Sequence, residues 1–193
     1  MQRQLMQAIL NEDEAAFLDF FRQAGAPPAS FQWRPAERDL TQEPLQFLLR
    51  HWNGLRAGSA APNQQLIDPL DMADALGYLM ILDAIDEGSD FRYRLYGSKI
   101  AARTGFDMTG KRVSELASSP VMAVFFGAAY RAVRVRREPL ITVHSPPLEI
   151  SAMKWTRLIL PLLNTAGEVE RLLVGNMPGS RQNAAARVSL NPA

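Results

Sequence analysis

Gly105-Phe106-Asp107-Met108-Thr109-Gly110-Lys111 sets a lysine directly after the second of two spaced glycines. With that spacing a phosphate-binding loop wraps backbone N–H groups and a cation around phosphate. Such a loop continues with Ser or Thr for magnesium, but Arg112 stands there and no strand runs directly into Gly105. A turn that needs both glycines is therefore expected, and not nucleotide hydrolysis. Ser151-Ala152-Met153-Lys154 repeats the spacing at which a lysine one helical turn away activates a serine. It falls at the start of a strand pattern, where residues three apart point to opposite faces, and it has no companion motif. Asp68, Asp71 and Asp74 resemble a cation site in type only. Asp68 and Asp71 are explained by a helix start at Pro69, as N-cap and as a charge at the positive end of the dipole. No metal is expected, because oxygen-ligated cations ask for more converging groups. His51 lies beside Trp52 in a helical pattern and His144 in a strand pattern. No nucleophile, metal set or acid–base pair is legible, so the chain is read as non-catalytic.

The elements that hold these residues belong to one ordinary core: 193 residues, 47% of them apolar, make one globular domain with room for a helical appendage. Lys and Arg number 21 against 20 Asp and Glu, a formal charge of +1. No global field favours nucleic acid or an anionic membrane, and neither is expected as a partner. The absence of cysteine excludes disulfides, thiolate metal sites and a flavin–cysteine adduct, and makes the cytoplasm the expected location. Met1 to Ile9 alternates polar and apolar residues, and no apolar run reaches membrane-spanning length.

Apolar residues recur helically over 2–24, interrupted at Asn11 to Glu14, as one bent helix or two short ones. Gly25-Ala26-Pro27-Pro28-Ala29-Ser30 stops them and reads as a linker. Leu45, Leu48, Leu49, Trp52 and Leu55 predict an amphipathic helix ending near Gly58. Tyr78 to Leu82 reads as a buried strand, paired as a hairpin with Phe91 to Gly97. In the second strand Phe91, Tyr93 and Leu95 are expected on one face, and Arg92, Arg94 and Tyr96 on the other. Short helices follow over 98–104 and near 114–117, then a long helix opened by Ser119-Pro120. Arg131, Arg134, Arg136 and Arg137 at its end are expected as a solvated face complementing the dipole. Strand patterns return at Leu140 to His144, Lys154 to Leu163 and Val169 to Val174, a meander, and the tail from Ser180 is expected to be mobile. The order implies an α+β fold with one antiparallel sheet and helices massed on one face.

Particular residues sharpen this. Trp52 with Leu55-Arg56, Pro62, Ile67 to Asp71, Phe91 to Gly97, Gly105 with Thr109-Gly110-Lys111, and Arg157 to Leu162 follow in order between Leu48 and about Gly175. Together they resemble the PAS family, and within it the short stand-alone PAS-like proteins of alphaproteobacteria. The resemblance implies a five-stranded antiparallel sheet with helices on one face, here preceded by N-terminal amphipathic helices. The division expected is an N-terminal helical extension over 1–40, a PAS domain with its leading helix over 41–178, and a tail over 179–193.

A haem-binding PAS domain needs an axial ligand on the helices that wall its cavity, and neither histidine suits that, so haem is not expected. If the interior holds a small apolar ligand, its wall is expected from Tyr93, Leu95, Ile100, Phe106, Phe125, Tyr130, Ile141, Leu158 and Leu160, with the two tyrosine hydroxyls as polar anchors. The same residues serve equally as plain core. The resemblance implies a sensory and regulatory module. Separately, the amphipathic helices preceding the sheet must bury their stripes on that sheet, on a second copy or on a partner protein, so signalling is expected through them. The alternative is a ligand-free interaction adaptor with a filled core. The identity of any cofactor or ligand is left open.

Overall fold

The computed structural model describes residues 1–117, 119–145 and 154–179. Two helices open the chain, α1 (Gln2–Leu10) and α2 (Glu14–Gln23). The break between them is the acidic stretch, where Asp13 accepts a hydrogen bond from the Ala16 N–H and caps α2. Next come β1 (Ser30–Trp33) and α3 (Glu43–Arg56), then the hairpin β2 (Leu79–Ile85) and β3 (Asp90–Tyr96). α4 (Ser98–Thr104), α5 (Pro120–Arg136), β4 (Leu140–His144), β5 (Trp155–Leu163) and β6 (Val169–Pro178) complete the fold. Ser119 caps α5 through its hydroxyl and Pro120 occupies the first turn, as the sequence predicts.

The strands form one six-stranded sheet in the order β1-β4-β5-β6-β2-β3, every named pair antiparallel. The five strands read from the sequence are there, and β1 is added at the β4 edge. Residues 25–30 were expected as a linker, yet Phe31 and Trp33 bury against the helices beyond it and draw Ser30 to Trp33 into register with Val143 to Leu140.

Helices occupy both faces. α1, α2, α4 and α5 pack on one, around Phe17, Phe21, Phe125, Phe126 and Tyr130. α3 covers the other, setting Leu45, Leu48, Leu49 and Trp52 against Leu79, Ile81, Leu158, Leu160 and Leu173. The Trp52 indole N–H donates to the Pro161 carbonyl at 2.8 Å, which satisfies the one polar atom this stripe buries. The stripes of α1 and α2 are spent inside the chain: Leu5, Ile9, Phe17 and Phe21 are buried, and Phe21 meets Phe125 edge-on at 5.2 Å.

The four arginines near the end of α5 do not all face water. Arg136 pairs with Glu12 at 2.8 Å and with Glu138 at 2.8 Å and stacks over Trp33, while Arg134 donates to the Val169 carbonyl. They tie α5 to α1, to β1 and to β6.

Candidate functional site

β3 contains a bulge. Ile81 pairs with Leu95 and Leu82 with Tyr93, so Arg94 is the extra residue and the alternation reverses there. Tyr96 therefore returns to the Tyr93 side, where the two rings meet edge-on at 5.4 Å, and Leu95 turns toward α3. The strict alternation expected for Phe91 to Tyr96 fails at this point.

Of the predicted wall residues, Tyr93, Ile100, Phe106, Phe125 and Tyr130 gather on the α5 face. Leu95, Ile141, Leu158 and Leu160 pack with the α3 cluster across the sheet. The sheet separates the two groups, so the structure brings together only the first.

What stands on the α5 face in place of Leu158 and Leu160 is Trp155, Arg157 and Ile159, the opposite parity of β5. The direct pairs are Thr142 with Arg157, His144 with Trp155, and Arg157 with Asn176. A polar row thus crosses β4, β5 and β6 beneath α5. It is buried: Thr142 is 1% exposed, Trp155 3%, and His144, Arg157 and Asn176 4% each.

Arg157 donates to the Tyr130 hydroxyl at 2.9 Å and to Asn176 Oδ1 at 3.2 Å, and its guanidinium carbon lies 3.5 Å from the centre of the Phe126 ring. Phe126 and Tyr130 lie four residues apart on α5, one turn of the same helix face. Burial pushes the Tyr93 and Tyr130 hydroxyls above their usual range, and Tyr96 follows for the same reason, so all three stay neutral phenols. Burial, and then the charge of Arg157, pushes His144 well below the usual histidine value. It is a neutral imidazole at pH 7, edge-on to Phe126 at 5.1 Å.

The remaining sequence motifs take structural roles. Gly105 and Gly110 both have φ of +80°, Asp107 Oδ1 accepts from the Thr109 N–H and hydroxyl, and the Gly110 N–H is used by the Tyr93 carbonyl. Those hydrogen bonds hold the Asp107 carboxyl below its usual value, and the segment is a closed turn. Asp68 accepts from the Leu70 N–H. His51 stacks on Phe47 of α3, and Ser151 lies outside the described residues.

Sequence reading missed Thr142, Trp155, Arg157 and Asn176. One signal was available: a lone charged residue, Arg157, at the head of a strand that is apolar on both faces from Leu158 onward. The parity that turns it inward is set by pairing with β4 and β6, which spacing along one strand does not contain.

A central antiparallel sheet with α4 and α5 laid over a partly polar face is the architecture of a sensory-domain fold. The PAS domain family model matches residues 40–177, and the chain belongs to that family. Solved structures similar to it include a light-oxygen-voltage domain studied with a flavin analogue, at 16% identity over 62% of this chain and 89% of that one, TM-score 0.40. The LOV domain of the blue-light photoreceptor aureochrome1 is 13% identical over 64% and 95%, TM-score 0.40. A sensory box histidine kinase/response regulator from Burkholderia thailandensis is 18% identical over 63% and 95%, TM-score 0.41. No curated protein matches the chain. Among the described residues, no helix is long and apolar enough to cross a membrane.

Proposed function

We propose that this PAS domain is a non-catalytic sensory and regulatory module of the cytoplasm, in which α5 passes the state of the buried face to α1 and α2, and these to a signalling partner or a second copy of the chain. The observation that carries this is the double engagement of α5. Tyr130 and Phe126 on its sheet side hold Arg157, and Phe125 on the same helix packs against Phe17 and Phe21 of α2. Arg136 at its end holds Glu12 and the Leu10 carbonyl. A displacement of α5 driven from the polar row would therefore move the N-terminal helices with it, since packed elements shift as bodies.

The test is cross-linking of the full chain in its native cells, with the bound proteins quantified for wild type and for Tyr130→Phe, which removes one hydroxyl from the interior. A partner whose yield changes several-fold with this substitution is the expected result. A partner set indifferent to it would remove the coupling.

The second reading is an adaptor with a filled core. It is favoured by the closeness of the aromatic packing on the α5 face, with Phe91 against Tyr130 at 5.5 Å and Phe125 against Phe126 at 5.4 Å. Native mass spectrometry of the chain before and after mild denaturation separates the two. A mass lost on unfolding favours the sensory reading, and its absence the adaptor.

A further inference from the structure

Arg157 is the only charged residue among the buried polar side chains described. A guanidinium does not neutralise itself by losing its proton, and removal of a charge from water is tolerated when an opposite charge meets it. This chain supplies such charges to arginines that need them less. Arg171, about a quarter exposed, pairs with Asp83 at 2.6 Å, Arg94 pairs with the same carboxylate, and Arg136 has both Glu12 and Glu138. Among the described residues no carboxylate lies within ion-pair distance of Arg157. Its partners there are a phenol, an amide oxygen and the face of a ring.

Around it, three buried polar atoms have no hydrogen-bond partner: Thr142 Oγ1, His144 Nδ1 and Trp155 Nε1. Thr142 is paired directly with Arg157, and His144 with Trp155, on the same face of adjacent strands. A buried polar atom without a hydrogen-bond partner is costly and rare in folded proteins, so three on neighbouring residues call for a common explanation. Indole N–H only donates, a hydroxyl donates, and a neutral imidazole donates from whichever nitrogen carries its proton. All three can donate, the indole N–H can do nothing else, and donors on strand positions next to a fixed positive charge favour an anion. A single cation matches a single negative charge, and the rings of Phe125 and Phe126 beside His144 offer an apolar surface to what carries it.

We propose that this row is the binding site for the carboxylate of a small organic acid, gripped by Arg157 and hydrogen-bonded by Thr142 and Trp155, with its apolar body against the rings of α5. The inference rests on the sensory reading above and names its ligand class. Since Tyr130 now occupies one donor of Arg157, a carboxylate taking that place moves α5.

The experiment is thermal melting and isothermal titration of the full chain at constant ionic strength with sodium acetate, benzoate and octanoate, a series in apolar size, and with benzamide as the neutral counterpart of benzoate. At least one carboxylate is expected to bind and raise Tm, with benzamide inert. Arg157→Gln should weaken that binding at least tenfold. Thr142→Val and Trp155→Phe preserve shape and should each weaken it several-fold; they keep the test decisive if Arg157→Gln does not fold. No binding by any of the carboxylates, or equal binding to the Thr142→Val and Trp155→Phe variants, overturns the site. Binding that persists while Tyr130→Phe leaves the partner set unchanged keeps the site and removes the signalling reading. A partner response without carboxylate binding does the reverse.

Discussion

His144 gives the buried row a signature that is independent of any ligand. In the fold its imidazole is held neutral by burial and by the nearby charge of Arg157, which faces it from β5. In the unfolded chain it takes a proton near the ordinary pKa of about 6.5. Below that value the unfolded state binds a proton that the native state refuses, so stability rises with pH through this window and is lost as pH falls below it. One such group contributes a slope of up to about 1.4 kcal/mol per pH unit. Urea unfolding at pH 7, 6 and 5 should show this acid loss in wild type and a shallower one in His144→Leu. Parallel profiles would mean that His144 is solvated or paired in the native protein.

Two glycines are expected to respond with opposite sign to the same added methyl. A Cβ at Gly97, where β3 passes into α4, would press on the Gly77 carbonyl and stand 2.9 Å from the Leu79 carbonyl. Backbone does not yield as a side-chain end does, and Gly97→Ala should destabilise by about 1–3 kcal/mol. Gly54 lies on the exposed side of α3 with nothing within 4 Å of its would-be Cβ. Gly54→Ala should stabilise by about 0.5–1 kcal/mol through the helix backbone alone. Chemical denaturation of both variants checks the pair, and equal shifts would refute the close approach at Gly97. Elements with a local signal were legible in this way: the stripe of α3, the Ser119-Pro120 start of α5, the strands either side of the Asp86 to Asp90 turn. What pairing decides was not. β1 is four residues between prolines and exists because β4 offers an edge. The bulge at Arg94 moves Leu95 and Tyr96 across the sheet, and β5 is apolar on both faces from Leu158, so hydropathy left its parity open. The candidate site was accordingly half legible, the aromatic half on α5 and β3, whereas its polar half depends on which residues sit opposite one another in three strands.

For the whole molecule, the decisive question is whether residues 1–40 are an appendage or part of the folded body. The family match begins at residue 40, which suggests a boundary. The packing crosses it: Leu5, Ile9, Phe17, Phe21 and Trp33 are buried in the same cluster as Phe125 and Tyr130, the Trp33 indole N–H donates to the Ile9 carbonyl at 2.9 Å, and Arg136 spans from Glu138 to Glu12. Each large side chain of this kind contributes about 2–5 kcal/mol when its removal leaves a hole, and a whole domain is stable by only about 5–15 kcal/mol. A fragment of residues 40–177 should therefore lose cooperative unfolding, or unfold at much lower urea than the full chain, with α5 bared to water. The milder Phe21→Ala in the full chain should destabilise by about 3–5 kcal/mol. A fragment as stable as the full chain would make the N-terminal helices a separate, removable device. An unstable one makes them the outer layer of the core itself, packed directly on α5.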